Sequence, residues 1–234
     1  MIDLRSEITD LARSVDRIPG SDRGRSVMVI GADPGNGASS VAASLAVLLA
    51  GRSTRAAWLI DLDLRGNGQF NAFQQRIFPR IGLPGRPLDA SLNVDQFYQV
   101  VPQVRANGGA SRGPLKLLGA HRVEHSNLFV TRFRTQHIKP GQRIQVRSGG
   151  AYWDALRKVS DWAVLDAPAL DSSTAGLALC RYVDGVVIVM EADQTTAESL
   201  NATRDQIEAH GGRCVGVVVN QIRGDARFAD RFSG

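Results

Sequence analysis

The order of this chain is set by Ser26-Val-Met-Val-Ile-Gly-Ala-Asp-Pro-Gly-Asn-Gly-Ala-Ser-Ser40, which runs on into Val41-Ala-Ala-Ser-Leu-Ala-Val-Leu-Leu-Ala50. An apolar run ends in a glycine-rich turn, and the turn opens an Ala/Leu-rich segment without a breaker. That pattern predicts strand, phosphate loop and helix. Glycines let backbone N–H groups converge on an anion, and the helix N-terminus adds partial positive charge. The common form of such a loop is G-x-x-x-x-G-K-[ST]. Here Ala38 stands where the lysine belongs, followed by Ser39, and Gly31 lies six residues before Gly37 rather than five. The frame is present without its point charge.

Working outward, the segment from Ala56 to Asp61 reads as a second buried strand ending in acid. Asp61 and Asp63 then fall on one side of an extended chain, since alternate residues share a face. Both lie at the carboxyl end of a strand, where open parallel sheets bind ligands. Residues 162–166 form a further strand ending in Asp166. An acid at that place holds the water shell of a magnesium ion in phosphate-loop nucleotidases, with the loop Ser or Thr as direct ligand. Ser39 would be that ligand here, with Asp61 and Asp63 completing an anionic cluster, so the expected metal set is Ser39, Asp63 and Asp166.

Strands are also expected at 27–30, 185–190 and 215–219, interleaved with helices at 38–50, 151–159, 172–182 and 195–209. Five apolar strands without strict alternation predict an α/β fold: a parallel sheet with helices on both faces. The middle is less regular. Loop is expected at 82–87 and 107–114, a short helix at 93–103, and short strands at 115–118 and 128–132. Residues 2–17 carry Leu4, Ile8, Leu11, Val15 and Ile18 at helical spacing. That helix is either packed on its own domain or free as an assembly face. The expected divisions are 1–24 as N-terminal helix and linker, 25–223 as the phosphate-loop domain, and 224–234 as a polar tail.

The chain has 234 residues, 43% hydrophobic and 22% charged, ordinary for a soluble domain with a sizeable core. No apolar run reaches the roughly 18 residues of a membrane span, and the first residues lack a signal-peptide pattern. A cytoplasmic location follows as the expectation. Cys180 and Cys214 are too few for a disulfide framework and read as reduced and buried. The net charge of +5 permits an anionic partner without choosing one. His121-Arg-Val-Glu-His125 spells H-x-x-E-H, but it sits between short apolar runs, so it reads as loop rather than a metal-binding helix. The basic stretches around Arg132 and Arg143 read as half-buried strands, which makes nucleic acid an unlikely partner.

Five segments resemble, in order, the cytoplasmic domain of the bacterial tyrosine kinases (BY-kinases) of capsular and exopolysaccharide production, relatives of ParA/MinD-type ATPases. Pro34-Gly-Asn-Gly-Ala-Ser-Ser40 resembles their P-G-x-G-K-[ST]-[ST] loop, in degenerate form. Leu59-Ile-Asp-Leu-Asp-Leu-Arg65 resembles L-I-D-x-D-x-R, and Ala163-Val-Leu-Asp-Ala-Pro168 resembles the strand ending I-I-D-x-P. Tyr182-Val-Asp-Gly-Val-Val-Ile-Val-Met190 and Gly216-Val-Val-Val-Asn220 resemble the last two strands. The resemblance implies nucleotide binding by Gly35, Asn36, Gly37, Ala38, Ser39, Ser40 and Asn220. It implies Mg2+ with ATP or ADP as cofactors, and Asp61 and Asp63 as catalytic residues if the chain is active.

Three departures matter. Ala38 removes the lysine that neutralises the transferring phosphates, a loss that costs powers of ten in rate. The family's C-terminal tyrosine cluster is missing. Its E-x-x-R-x-x-R assembly motif is partial, with Glu7 and Arg13 present and Asp10 in the first Arg position. The resemblance therefore implies a kinase-like regulator or scaffold of exopolysaccharide export, weak or inactive in catalysis, with weak or absent nucleotide binding. Its partner would be an integral-membrane polysaccharide co-polymerase that recruits it to the inner membrane, with self-association as the other option. An active ATPase or tyrosine kinase using a substitute arginine such as Arg65 is one alternative. A ParA/MinD-like positioning protein is the other.

Overall fold

The computed structural model describes residues 1–19, 23–102 and 116–221. In chain order the elements are α1 (Thr9–Val15), β1 (Arg25–Gly31), α2 (Ala38–Ala50), β2 (Ala57–Asp61), α3 (Gly68–Gln74), β3 (Pro84–Asp89) and β4 (Tyr98–Val101). There follow β5 (Leu118–Val123), β6 (Leu128–Phe133), β7 (Arg143–Val146), α4 (Ala151–Val159), β8 (Trp162–Ala167), α5 (Ala175–Leu179), β9 (Gly185–Glu191), α6 (Ala197–Ala209) and β10 (Cys214–Asn220). Eight strands form one sheet in the order β10-β9-β1-β8-β2-β6-β5-β3, and β4 and β7 form a separate pair. The first six of the eight run parallel, while β5 and β3 are antiparallel to their neighbours. This is the expected α/β architecture, with an antiparallel margin added.

The central strands are apolar on both faces because both are covered. Along β1, Met28 and Ile30 enter one core while Val27 and Val29 enter the other. Trp58 and Ile60 of β2 alternate with Ala57 and Leu59 in the same way. The second core holds α2, which is buried nearly all round and so shows no polar stripe. The helix expected from residue 2 to 17 is helical only over Thr9–Val15. Its apolar positions serve the core even so: Leu4, Ile8, Val15 and Ile18 are buried beside α2.

Three other expectations are corrected. The short helix at 93–103 is absent from its described part: Leu92 and Asn93 turn with φ of 52° and 55°, and β4 follows. Aromatic packing decides this, since the Phe97 ring meets Tyr152 edge-on and Trp153 at a tilt, with centroids 4.8 and 5.0 Å away. The loop at 82–87 contains the start of β3, an edge strand, where a missing proline N–H leaves no ladder bond unmade. The helix at 172–182 is α5 followed by a single 3-10 turn over Cys180–Tyr182. The loop expected at 107–114 and the polar tail lie outside the described residues. His121 sits buried on β5 and His125 in the following turn at φ 56°, so the two histidines share neither a loop nor a helical face. Cys180 is buried and Cys214 half-buried, both as free thiols.

Candidate functional site

The loop from Gly31 to Gly37 turns through two glycines of positive φ, Gly35 at 91° and Gly37 at 84°. An L-residue is strained at either place. At Gly37 a Cβ would also sit 2.2 Å from Nδ2 of Asn220, whereas at Gly35 it would meet open space. Gly37 is thus fixed by packing, and Gly35 faces the mouth of the site. Asn36 is the loop's anchor, only 4% exposed. Its Oδ1 accepts from Asp33 N at 2.8 Å and from Thr195 Oγ1 at 3.2 Å. Its carbonyl accepts from Asn220 Nδ2 at 2.9 Å. Asn220, which the resemblance assigns to the nucleotide base, here ties the end of β10 to the loop.

The start of α6 braces the same loop. Ser199 Oγ donates to Asp33 Oδ1 at 2.6 Å, holding that carboxylate toward the helix. Thr196 caps α6 by accepting from Ser199 N at 3.1 Å. Thr196→Ala is expected to cost about 1 kcal/mol, read as a lower urea midpoint with an unchanged slope. On the other side, Ser40 Oγ accepts from Ile2 N at 3.0 Å and Ser44 Oγ from Leu4 N at 2.9 Å. The N-terminal segment therefore lies along the first turns of α2. Met1 joins the loop in lining a cavity of about 380 Å³ that also contains Ala38, Ser39 and Pro168.

Asp61 and Asp166 are register partners on the adjacent parallel strands β2 and β8. Both are buried, at 5% and 6% exposure, whereas Asp63 faces solvent. Asp61 accepts from Asp63 N at 2.9 Å and from Gln69 N at 3.0 Å. Burial, and then the neighbouring charges of Asp166 and Asp63, push its carboxyl up to about 7. Asp166 is also raised by burial, against hydrogen bonds from Gln69 and Ser39 that favour its charged form. Asp63 does not join the pair; it folds back on its own turn and accepts from Arg65 N and Gly66 N at 3.3 and 3.0 Å.

Gln69, on the first turn of α3, has no place among the sequence candidates, yet it joins the two halves of the site. It is fully buried. Its Nε2 donates to Asp166 Oδ2 at 2.6 Å and to the Ser39 carbonyl at 3.0 Å. Two acceptors of this site, Gln69 Oε1 and Asp166 Oδ1, are buried without a partner among the described residues. Such orphans point to a cation or ordered water between the acids and the loop. Arg65 turns away from the loop, donating from Nη2 to the Gln142 carbonyl at 3.0 Å.

A glycine-rich strand-to-helix loop beside two acid-ended parallel strands defines the fold class of phosphate-loop nucleotide-binding proteins. No family model and no curated protein matches the chain. Solved structures do. The kinase domain of the Escherichia coli tyrosine kinase ETK superposes with a TM-score of 0.59 at 16% identity, covering 93% of this chain and 75% of that one. The VpsO kinase domain gives 0.58 at 18% identity, covering 94% and 95%. A Borrelia burgdorferi protein assigned to plasmid partition and bound to AMPPNP gives 0.51 at 15% identity, covering 89% and 82%. The fold is thus the one shared by these kinase domains and the plasmid partition protein. Among the described residues no helix is long and apolar enough to cross a membrane.

Proposed function

We propose that this chain is a BY-kinase-like component of exopolysaccharide biosynthesis or export, acting as a regulator or scaffold rather than as an efficient kinase. The observation that carries this reading is a phosphate loop kept in shape by its own chain while the lysine position is Ala38. A nucleotide and magnesium fit the residues present. Gly35 borders open space at the loop mouth, and buried acceptors of Asp166 and Gln69 lack partners. The loop amides and Ser40 would hold phosphate, and Ser39 and Asp166 would hold the metal, joined by Asp63 once its carboxylate leaves its own turn; Asn220, beside the loop, would flank the base. Bound magnesium supplies charge neutralisation at the phosphates. Without lysine, that neutralisation is incomplete, so binding is weak and turnover slow. The protein is recruited to the inner membrane by docking on a membrane polysaccharide co-polymerase.

Calorimetric titration with Mg·ATP, paired with a phosphate-release assay, tests this reading. Ala38→Lys is expected to tighten binding about tenfold, the worth of one charge-assisted hydrogen bond. Phosphate release by the unaltered chain that Asp61→Ala abolishes would overturn the inactive reading. Absence of binding at millimolar ATP, in the lysine variant as well, would overturn the nucleotide site.

A further inference from the structure

Positive charge is unevenly distributed along this chain. Residues 96–153 contain nine Arg and Lys and a single acid, Glu124, while the remainder of the sequence is net negative at −3. A general preference for arginine does not explain why acids are missing from one stretch. In the fold, part of that stretch forms β7, whose exposed residues Arg143 and Gln145 alternate with the half-buried Ile144 and Val146. Among the described residues, strand β7 pairs only with β4, leaving its other edge open. Unpaired strand edges recruit further strands.

Two cavities border β7. One, of about 640 Å³, lies between Ile144–Val146, the turn at residues 62–65 and the hydroxyls of Ser172, Ser173 and Thr174. The other, of about 560 Å³, is lined by Arg65, Lys139 and Arg143. They share Arg65 and Ile144, so they form one cleft, and Pro168 and Ser172 join it to the phosphate-loop cavity. Among the described residues Arg65, Lys139 and Arg143 are in no ion pair. Among the described residues, Asp63 is the one carboxylate on the cleft wall, at the end away from Lys139.

We propose that this cleft is a docking site for an extended acidic peptide segment of a partner protein, which adds to β7 as a third strand and sets its carboxylates against Arg143, Lys139 and Arg65. Each feature selects for a peptide. An open strand edge is completed by peptide N–H and C=O groups, which nucleic acid does not offer. No aromatic side chain lines either cavity for base stacking. The cations line a cleft rather than a flat face, which suits side-chain carboxylates better than a lipid surface. The alternation along β7 fits a peptide with acids on one face and apolar residues on the other. This proposal deepens the docking half of the functional reading and is independent of the nucleotide half.

The probe is a fluorescein-labelled octapeptide alternating glutamate and valine, measured by anisotropy with the full chain and without nucleotide. Binding is expected to weaken about tenfold in Lys139→Glu/Arg143→Glu and to weaken steeply from about 50 to about 300 mM NaCl. Lys158→Glu, a single charge reversal on the far end of α4, is expected to leave it unaltered, while Arg143→Glu alone already weakens it. Circular dichroism checks that the variants fold, as both substituted cleft residues are exposed. Hydrogen exchange is expected to slow at the β7 amides when the peptide binds. Binding insensitive to the charge reversal, unchanged β7 exchange, or tighter binding of an oligothymidylate than of the peptide would each overturn the proposal. A failure here leaves ATP titration of the loop site unaffected, so the two readings fail separately.

Discussion

Raising the pH from 5 to 8 is expected to lower the unfolding free energy through Asp61 alone by about 2–3 kcal/mol. The sign follows from where the proton is held. The Asp61 carboxyl titrates near 7 in the native state against 3.8 when unperturbed. Between those values the native chain keeps a proton that the unfolded chain releases. The stabilisation is complete below the unfolded value and is lost as pH rises through the folded one. Asp166 is raised in the same direction and adds to the slope. His121 opposes it. Burial holds its imidazole below the ordinary value, so it favours the fold as pH rises toward about 6.5. Asp161 is lowered against its burial, by Arg55 and by backbone N–H groups, and acts mainly below pH 5. Urea denaturation of the chain and of Asp61→Asn across this range separates these contributions, because the difference curve cancels His121. The variant keeps one acceptor for the two N–H groups and loses the charge, so its curve is expected to be flatter. Parallel curves would mean that Asp61 ionises in the native state as an ordinary carboxylate.

That pair of acids was legible in the sequence because position on a strand is a local property. Asp61 and Asp166 each close an apolar run, and parallel strands in register bring such ends together. The helices Ala38–Ala50 and Ala151–Val159 were legible for the same reason, one from its glycine turn and unbroken apolar length, the other from the spacing of Tyr152, Leu156 and Val159. The antiparallel margin was not. β3 contains Pro84 and Pro87, which argue against a strand until its place at the sheet edge is known. β4 is four residues long and depends on the Phe97 aromatic cluster for its conformation. Gln69 was beyond reach of sequence pattern altogether. Nothing in Gly68-Gln69-Phe70 distinguishes a buried glutamine from a surface one; its partners lie 30 and 97 residues away. The loop's own supports, Thr195, Ser199 and Asn220, come from the far end of the chain and depend on β9 lying beside β1, with β10 next outward.

Gln69→Leu is expected to destabilise the metal-free protein by about 3 kcal/mol at pH 8. Leucine is close to glutamine in volume, so the change removes an amide without opening a large cavity. What it removes is the donor to Asp166 Oδ2 at 2.6 Å in a fully buried setting. A hydrogen bond to a charged group contributes about 1.5–3 kcal/mol, and stranding a buried charge costs about 3–5. As the pH falls the cost is expected to shrink, because Asp166, whose carboxyl burial already raises, escapes it by taking up a proton. Added MgCl2 discriminates further. If the amide stands in for the positive charge that a cation would bring to Asp166, magnesium will stabilise the leucine variant more than the unaltered chain in thermal unfolding. Equal stabilisation of both would mean that Gln69 and the cation act on different atoms. A leucine variant as stable as the unaltered chain at pH 8 would mean that Asp166 is already neutral there, and the amide is then a spacer rather than a counterweight. The same measurement therefore separates two states of the site: one in which a neutral donor balances a charged buried acid, and one in which the acid itself is uncharged.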